Sequence, residues 1–231
     1  MFIGHFALAL GAKRAVPRAS LGALVAAAQW SDLLWPALLL GGAERVEIAP
    51  GDTAFTPLRF VSYPISHSLL AALLWGAAGA GLWWLLGRDQ QKERAALVVG
   101  LLVVSHWVLD ALTHRPDLPL APGGDARVGL GLWRSVPATL LVEAAMFAAG
   151  AWLYFRATRA RAEHETAGRW GIGALLAFLA VVYVMNVVGP PPPSTGALAG
   201  VTLSMWLLVA WAWWADRWRE PADVLDRVPR A

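Results

Sequence analysis

Apolar positions along the chain fall into blocks. Six are long enough to cross a bilayer, which takes about 20 residues: 20–41, 66–87, 95–114, 135–156, 170–189 and 196–216. Short charged stretches separate them, and the longest hydrophilic segments are 42–65, 115–134 and 157–169. A seventh block, Met1 to Ala12, is apolar but too short to span at about 1.5 Å per residue. It has neither the basic start nor the small-residue cleavage site of a signal peptide, so it is expected to be retained as a re-entrant or half-buried helix. Pro190–Pro193 reads as a stiff turn between the last two spans. No internal repeat stands out. The pattern predicts an all-α polytopic membrane helix bundle: one integral membrane domain over 1–231, with six transmembrane helices and a short N-terminal half-buried helix.

Composition sharpens this. Of the 231 residues 58% are hydrophobic and 15% charged, against about 45–50% and about 25% in soluble domains. An ordinary soluble enzyme, a disordered chain and a nucleic-acid-binding module are excluded. The chain has no cysteine, so a metal site must draw on histidine and carboxylates. The 19 Lys and Arg sort by loop. One set holds Lys13, Arg14, Arg18, Arg88, Lys92, Arg94, Arg156, Arg159, Arg161, Arg169, Arg217, Arg219, Arg227 and Arg230. The other holds only Arg45, Arg59, Arg115, Arg127 and Arg134. The sets alternate along the spans. By the positive-inside rule the first set is cytoplasmic, and with it the C-terminus. The partners expected of such a chain are membrane lipids.

Three acids fall inside apolar spans: Asp32, Asp110 and Glu143. Each ionised carboxylate there costs about 2.5–3.5 kcal/mol on insertion scales and needs a reason. His67 and His106 lie in apolar surroundings, and His114 sits at a span end. At helical rise, Asp32 is about 14 Å, Glu143 about 12 Å, His106 about 12 Å and Asp110 about 6 Å from the outer ends of their spans. All collect in the outer half of the membrane. Asn186, near an outer end, is placed to join them. His5 joins if the first helix reaches that depth.

The sharpest motif is Ser105–His114, SHWVLDALTH. His106 and Asp110 are four residues apart and share a helix face, so an imidazole and a carboxylate can meet one cation. The blander alternatives are a hydrogen-bonded pair tying helices together, a helix-capping His114 and an interfacial anchor in Arg134 beside Trp133. Gly76, Gly79 and Gly81 read as small-residue helix contacts.

Gly4-His5, Asp32 to Pro36, Ser66-His67-Ser68 and Ser105 to Thr113 occur in an order that resembles the bacterial YdjM-like family. That family is described as LexA-binding, inner-membrane-associated metal-dependent hydrolases. The resemblance covers roughly 1–135, with 136–231 as additional helices. It implies a bacterial inner-membrane protein with a metal site. A more distant similarity, to zinc-dependent phospholipase C, implies zinc held by His and Asp on a helical bundle. Where the family has an Asp-x-Asp-His-Pro run, this chain reads Asp32-Leu33-Leu34-Trp35-Pro36, and Ser62-Tyr63-Pro64 stands in place of His-Arg-Gly. A mononuclear or dinuclear site is then expected rather than a larger cluster.

The expectation is a metal-dependent hydrolase acting on a lipid or amphipathic phosphoester from the outer leaflet. His67, His106 and Asp110 would hold a divalent metal, zinc first, with Asp32 and His5 completing or bridging the set. Glu143, or Asp32 if free, would take a proton from water. His114, Arg115 and Arg134 would meet the substrate. The rivals are a proton- or ion-coupled transporter and a scaffold with a structural metal clip.

Overall fold

A computed structural model describes residues 1–87 and 91–222. Arg88, Arg227 and Arg230 of the basic set lie outside the described residues. The helices are α1 Ile3–Ala12, α2 Leu21–Ala28, α3 Trp30–Leu40, α4 Pro64–His67, α5 Leu69–Leu86, α6 Lys92–Thr113, α7 Val136–Ala157, α8 Glu165–Val188, α9 Thr195–Leu203 and α10 Met205–Asp216. Three small antiparallel pairs decorate them: β1 Arg45–Ile48 with β2 Leu58–Ser62, β3 Leu118–Pro119 with β4 Arg127–Val128, and β5 Thr158–Ala160 with β6 Arg219–Pro221.

Five of the expected spans are helices long and apolar enough to cross a membrane: Leu69–Leu86, Lys92–Thr113, Val136–Ala157, Ala162–Val188 and Thr195–Asp216. The first expected span differs. Residues 20–41 form two helices, α2 and α3, bent by 58° at Gln29. The bend interrupts the hydrogen-bond ladder beside the Ala28 carbonyl. Pro36, inside α3, has no N–H to give the carbonyl of Asp32 four residues back. Broken helices of this kind are tolerated at membrane depth only where protein surrounds them.

Serine hydroxyls start three of the helices. The side chains of Ser68, Ser135 and Ser194 accept from the amides of Ala71, Ala138 and Ala197 at the N-termini of α5, α7 and α9. Each satisfies one of the donors a helix start leaves free. α6 shows how one helix serves lipid and core. Val99, Leu102, Val103, His106 and Asp110 recur at three- and four-residue spacing on its buried side, while Leu97, Leu101 and Val108 are exposed.

α1, too short to span as expected, is packed into the protein. Seven of its residues, Ile3 to Ala7, Ala9 and Leu10, are buried. It lies inside the bundle against α7, α2 and α6. The approach to α7 is close: a Cβ at Gly150 would strike the backbone of Ala7. α5 and α6 meet in the same way, where a Cβ at Gly76 would come within 2.9 Å of the Gly100 carbonyl oxygen. Gly79 faces Val99 and Val103, but nothing lies within 4 Å of a Cβ at Gly81. Gly81 is therefore no helix contact.

The far end of the bundle holds a buried ionic clamp. Lys13 Nζ donates to Asp216 Oδ2 at 2.9 Å and to the Ala19 carbonyl at 2.8 Å. The Leu21 amide, at the start of α2, donates to Asp216 Oδ2 at 2.9 Å, and the Tyr154 hydroxyl to Oδ1 at 2.8 Å. Arg219 closes the same end through Thr158 and the Gly168 carbonyl. Asp216 is thus a buried carboxylate on a helix, like Asp110 and Glu143, that the sequence did not single out.

Candidate metal centre

Four elements bring the expected ligands together. α6 carries His106 and Asp110 one turn apart on its buried face. Asp32 stands in the first turn of α3, just past the bend. His67 ends the one-turn helix α4, and His5 lies on α1.

His67 Nε2 is 3.4 Å from Asp32 Oδ1 and 3.8 Å from Asp110 Oδ2. His106 Nε2 is 3.7 Å and 3.2 Å from the same two oxygens. Zinc–nitrogen bonds of about 2.0–2.1 Å give a tetrahedron with edges of about 3.3–3.4 Å. The four separations cluster around that edge. His5 stacks flat on His106, ring centroids 3.7 Å apart and planes within 4°. Its Nε2 lies 3.2 Å from Asp110 Oδ1, which also receives the Met1 amino group at 2.7 Å.

The protonation of His106 follows from its neighbours. A carbonyl oxygen can only accept, and Nδ1 of His106 lies 2.8 Å from the Ala28 carbonyl. Nδ1 therefore carries a proton, and in the neutral ring Nε2 carries a lone pair. That Nε2 is buried and makes no well-formed hydrogen bond, although carboxylate oxygens of Asp110 and Asp32 lie 3.2 and 3.7 Å away. The bend at Gln29 serves this arrangement twice: it presents the Ala28 carbonyl to His106 and starts a new helix at Asp32. His67 is held from behind by Ser66, whose hydroxyl reaches Glu44.

Two triads have ligand atoms within 4.8 Å of one another, His5–Asp32–His106 and His67–His106–Asp110. They share His106. Both could hold a cation: the donors are imidazole nitrogens and carboxylate oxygens, a set suited to zinc. The side chains of His5, His67, His106 and Asp110 are at most 4% exposed, whereas Asp32 reaches 23%. Asp32 is the most exposed of the five.

The remaining candidates lie elsewhere. Glu143 is buried, and its Oε2 accepts from the amides of Phe2 and Gly4 at 2.9 and 3.2 Å. It caps the start of α1, the helix that carries His5. His114 belongs to an aromatic roof, 4.4 Å from the Trp133 ring and 4.8 Å from Phe60. Its Nδ1 lies 3.0 Å from Asp117 Oδ1, which also accepts from Tyr63 at 2.9 Å. The Arg115 guanidinium is engaged by Asp117 and Asp52 at 2.9 and 2.8 Å. Burial pushes the Asp117 carboxyl up, but hydrogen bonds from His114, Arg115 and Tyr63 outweigh it and hold the group below the usual carboxylate value. Arg134 is exposed at the end of the turn Leu132–Arg134. Asn186 is exposed too and takes no part in the cluster.

The sequence reading missed two participants. Glu44 is buried to 1% exposure, but it is one acid among several in the 42–65 loop, and no pattern marks it. The Ala28 carbonyl carries no side-chain signal at all; only Gln29 and Pro36, polar and helix-breaking residues inside an apolar run, hint at the bend.

No curated protein and no solved structure matches the chain. The family model described as YdjM inner membrane protein matches residues 2–190, taking in α1 to α8. With its apolar helices the chain is a multi-pass inner-membrane protein, and it belongs to the YdjM inner membrane protein family.

Proposed function

We propose that this protein is a membrane-embedded, metal-dependent hydrolase acting on a lipid or amphipathic phosphoester. The observation that carries this reading is the convergence of His67 Nε2, His106 Nε2 and Asp110 Oδ2 as a three-residue ligand set, with Asp32 Oδ1 3.4 and 3.7 Å from the two imidazoles and left free to act on a bound water. Lone pairs and carboxylate charge gathered so closely favour a cation among them, as the Met1 amino group already on Asp110 Oδ1 illustrates. Zinc held there would supply a Lewis acid and a water of lowered pKa.

The chain's own residues divide the remaining work. Asp32, the partly exposed member, is placed to accept a proton from attacking water and return it to the leaving group. Glu143 positions α1, and through it His5, rather than meeting the substrate. Arg134 is free to attract a phosphate at the mouth. The loops 42–65 and 115–134 close the end of the bundle nearer the cluster. By the basic-loop count that end faces outward, which puts the site in the outer half of the membrane and the C-terminus in the cytoplasm. The near-complete burial of four of the five residues also suits a structural metal clip, and the same experiment separates the two.

Metal content is measured on detergent-purified protein beside the double variant His106→Ala/Asp110→Ala, followed by hydrolysis assays on phospholipids and lipid-linked phosphoesters. Near-stoichiometric zinc lost in the variant, with turnover abolished by Asp32→Asn, supports the hydrolase. Metal without turnover points to the clip. A wild type that stays metal-free after reloading with zinc, manganese or iron would falsify the site.

A further inference from the structure

We propose that Glu44, a loop residue remote from the cluster in sequence, is a positioning residue that dictates through Ser66 which ring nitrogen of His67 carries the proton. The inference rests on reading the cluster as a metal centre, but its first readout does not need the metal.

The contacts run in one line. Glu44 Oε1 accepts from the amides of Ile65 and Ser66 at 2.8 and 2.9 Å. These are early amides of α4, which Pro64 opens, so the carboxylate also caps the one-turn helix that ends in His67. Glu44 Oε2 accepts from the Ser66 hydroxyl at 2.6 Å. Ser66 Oγ in turn lies 2.6 Å from His67 Nδ1. Glu44, Ser66 and His67 are each at most 4% exposed, so water does not compete for these bonds.

Proton counting gives the direction. A serine hydroxyl has one proton to donate. A carboxylate only accepts, so that proton points at Glu44. The Ser66 oxygen is then left to accept, and His67 must donate from Nδ1. In the neutral ring Nε2 is then bare, and it faces Asp32 and Asp110. The orientation of one hydroxyl thus decides whether His67 offers the cluster a lone pair or an N–H. Partners behind a ligating imidazole commonly set its tautomer and shift metal affinity by about 10–100-fold when lost.

Glu44→Gln reverses the chain while keeping the volume. The two backbone amides pin the amide oxygen in the Oε1 place, so the NH2 faces Ser66. The Ser66 hydroxyl then turns to donate to His67 Nδ1, and the ring proton moves to Nε2, pointing into the cluster. A purely structural role for Glu44 predicts no such reversal, since the helix-capping bonds survive.

The test uses full-length protein in detergent with labelled histidine, a His67→Asn spectrum identifying the His67 signals. Ring nitrogen shifts are read in metal-free protein, and zinc affinity by competition with a chelator. The expected result is Nδ1–H in the wild type and Nε2–H in Glu44→Gln, with zinc affinity lower by about 10–100-fold. Adding Ser66→Ala to Glu44→Gln removes the misdirected hydroxyl and recovers part of the loss. If Glu44→Gln does not fold, Ser66→Ala alone is read: a His67 ring no longer confined to Nδ1–H supports the relay. An unchanged His67 tautomer in a folded variant overturns it. A wild type that takes no zinc while the tautomer still flips overturns the metal reading and leaves the relay standing.

Discussion

Removing one partner from the Lys13–Asp216 clamp tests whether the far end of the bundle is held by a charge pair. Both side chains are at most 9% exposed. In Asp216→Ala the Lys13 ammonium keeps only the Ala19 carbonyl, and the Tyr154 hydroxyl and Leu21 amide lose their acceptor. Breaking a buried pair from one side costs about 3–5 kcal/mol. At about 2–4 °C per kcal/mol for a chain of this size, the melting temperature should fall by roughly 6–20 °C. Tryptophan fluorescence during heating in detergent is a direct probe, since the chain has 14 tryptophans. The diagnostic variant is Lys13→Met/Asp216→Ala, which removes the stranded charge. It should be more stable than the sum of the two single losses predicts, by a coupling of about 0.5–3 kcal/mol. A loss below about 1 kcal/mol in Asp216→Ala, or strict additivity in the double variant, would refute the charge-pair account.

Further outcomes are expected. Gly150→Val should drive α1 off α7 and cost about 1–3 kcal/mol or more by overpacking, whereas Gly81→Ala, in the interior of α5 with open space around it, should raise stability by about 0.5–1 kcal/mol. Asp32→Asn should lower turnover of a phosphoester by about 10²–10⁴-fold, the range of general-base catalysis; Glu143→Gln, which keeps an acceptor for Phe2 and Gly4, should lower it far less. Asp117 has a depressed pKa in the folded protein, so its contribution is present above the usual carboxylate value and is lost as pH falls through the folded one. Hydrogen-exchange protection in 115–134, taken relative to the intrinsic rate at each pH, should therefore fall on acidification, and Asp117→Asn should flatten that response.

Spans were the most readable part of the sequence, because a lipid-facing helix needs unbroken apolar length. The broken one was not: α2 and α3 together have the length and hydropathy of a single span, and the bend depends on how Gln29 and Trp30 pack. Four of the five ligand-type side chains were legible for the opposite reason. Charged or imidazole groups in apolar spans are costly, so Asp32, His67, His106 and Asp110 stood out, whereas the place of His5, on a segment too short to span, depended on the depth of α1. Glu44 did not, since a glutamate in a hydrophilic loop looks solvated until the chain folds over it. Asp216 and Lys13 escaped notice similarly, as residues at span ends pass for interfacial ones. Glu143 was visible as a buried acid, but its partners are backbone amides of α1, and no side-chain pattern announces those.

The placement of α1 bears on the order in which the protein can be made. At 10 residues it is about 15 Å long, half the thickness of a hydrocarbon core of about 30 Å. Alone in the bilayer it would have nowhere stable to lie. Its seat against Gly150 and its cap on Glu143 come from α7, which leaves the ribosome well over a hundred residues later. Asp32, His67, His106 and Asp110 are all in place before then. His5 is the earliest of the cluster residues to be translated, and its helix lacks its cap and its closest packing partner in the interval before α7 has inserted. Any loading of the site during synthesis would have that interval in which to occur.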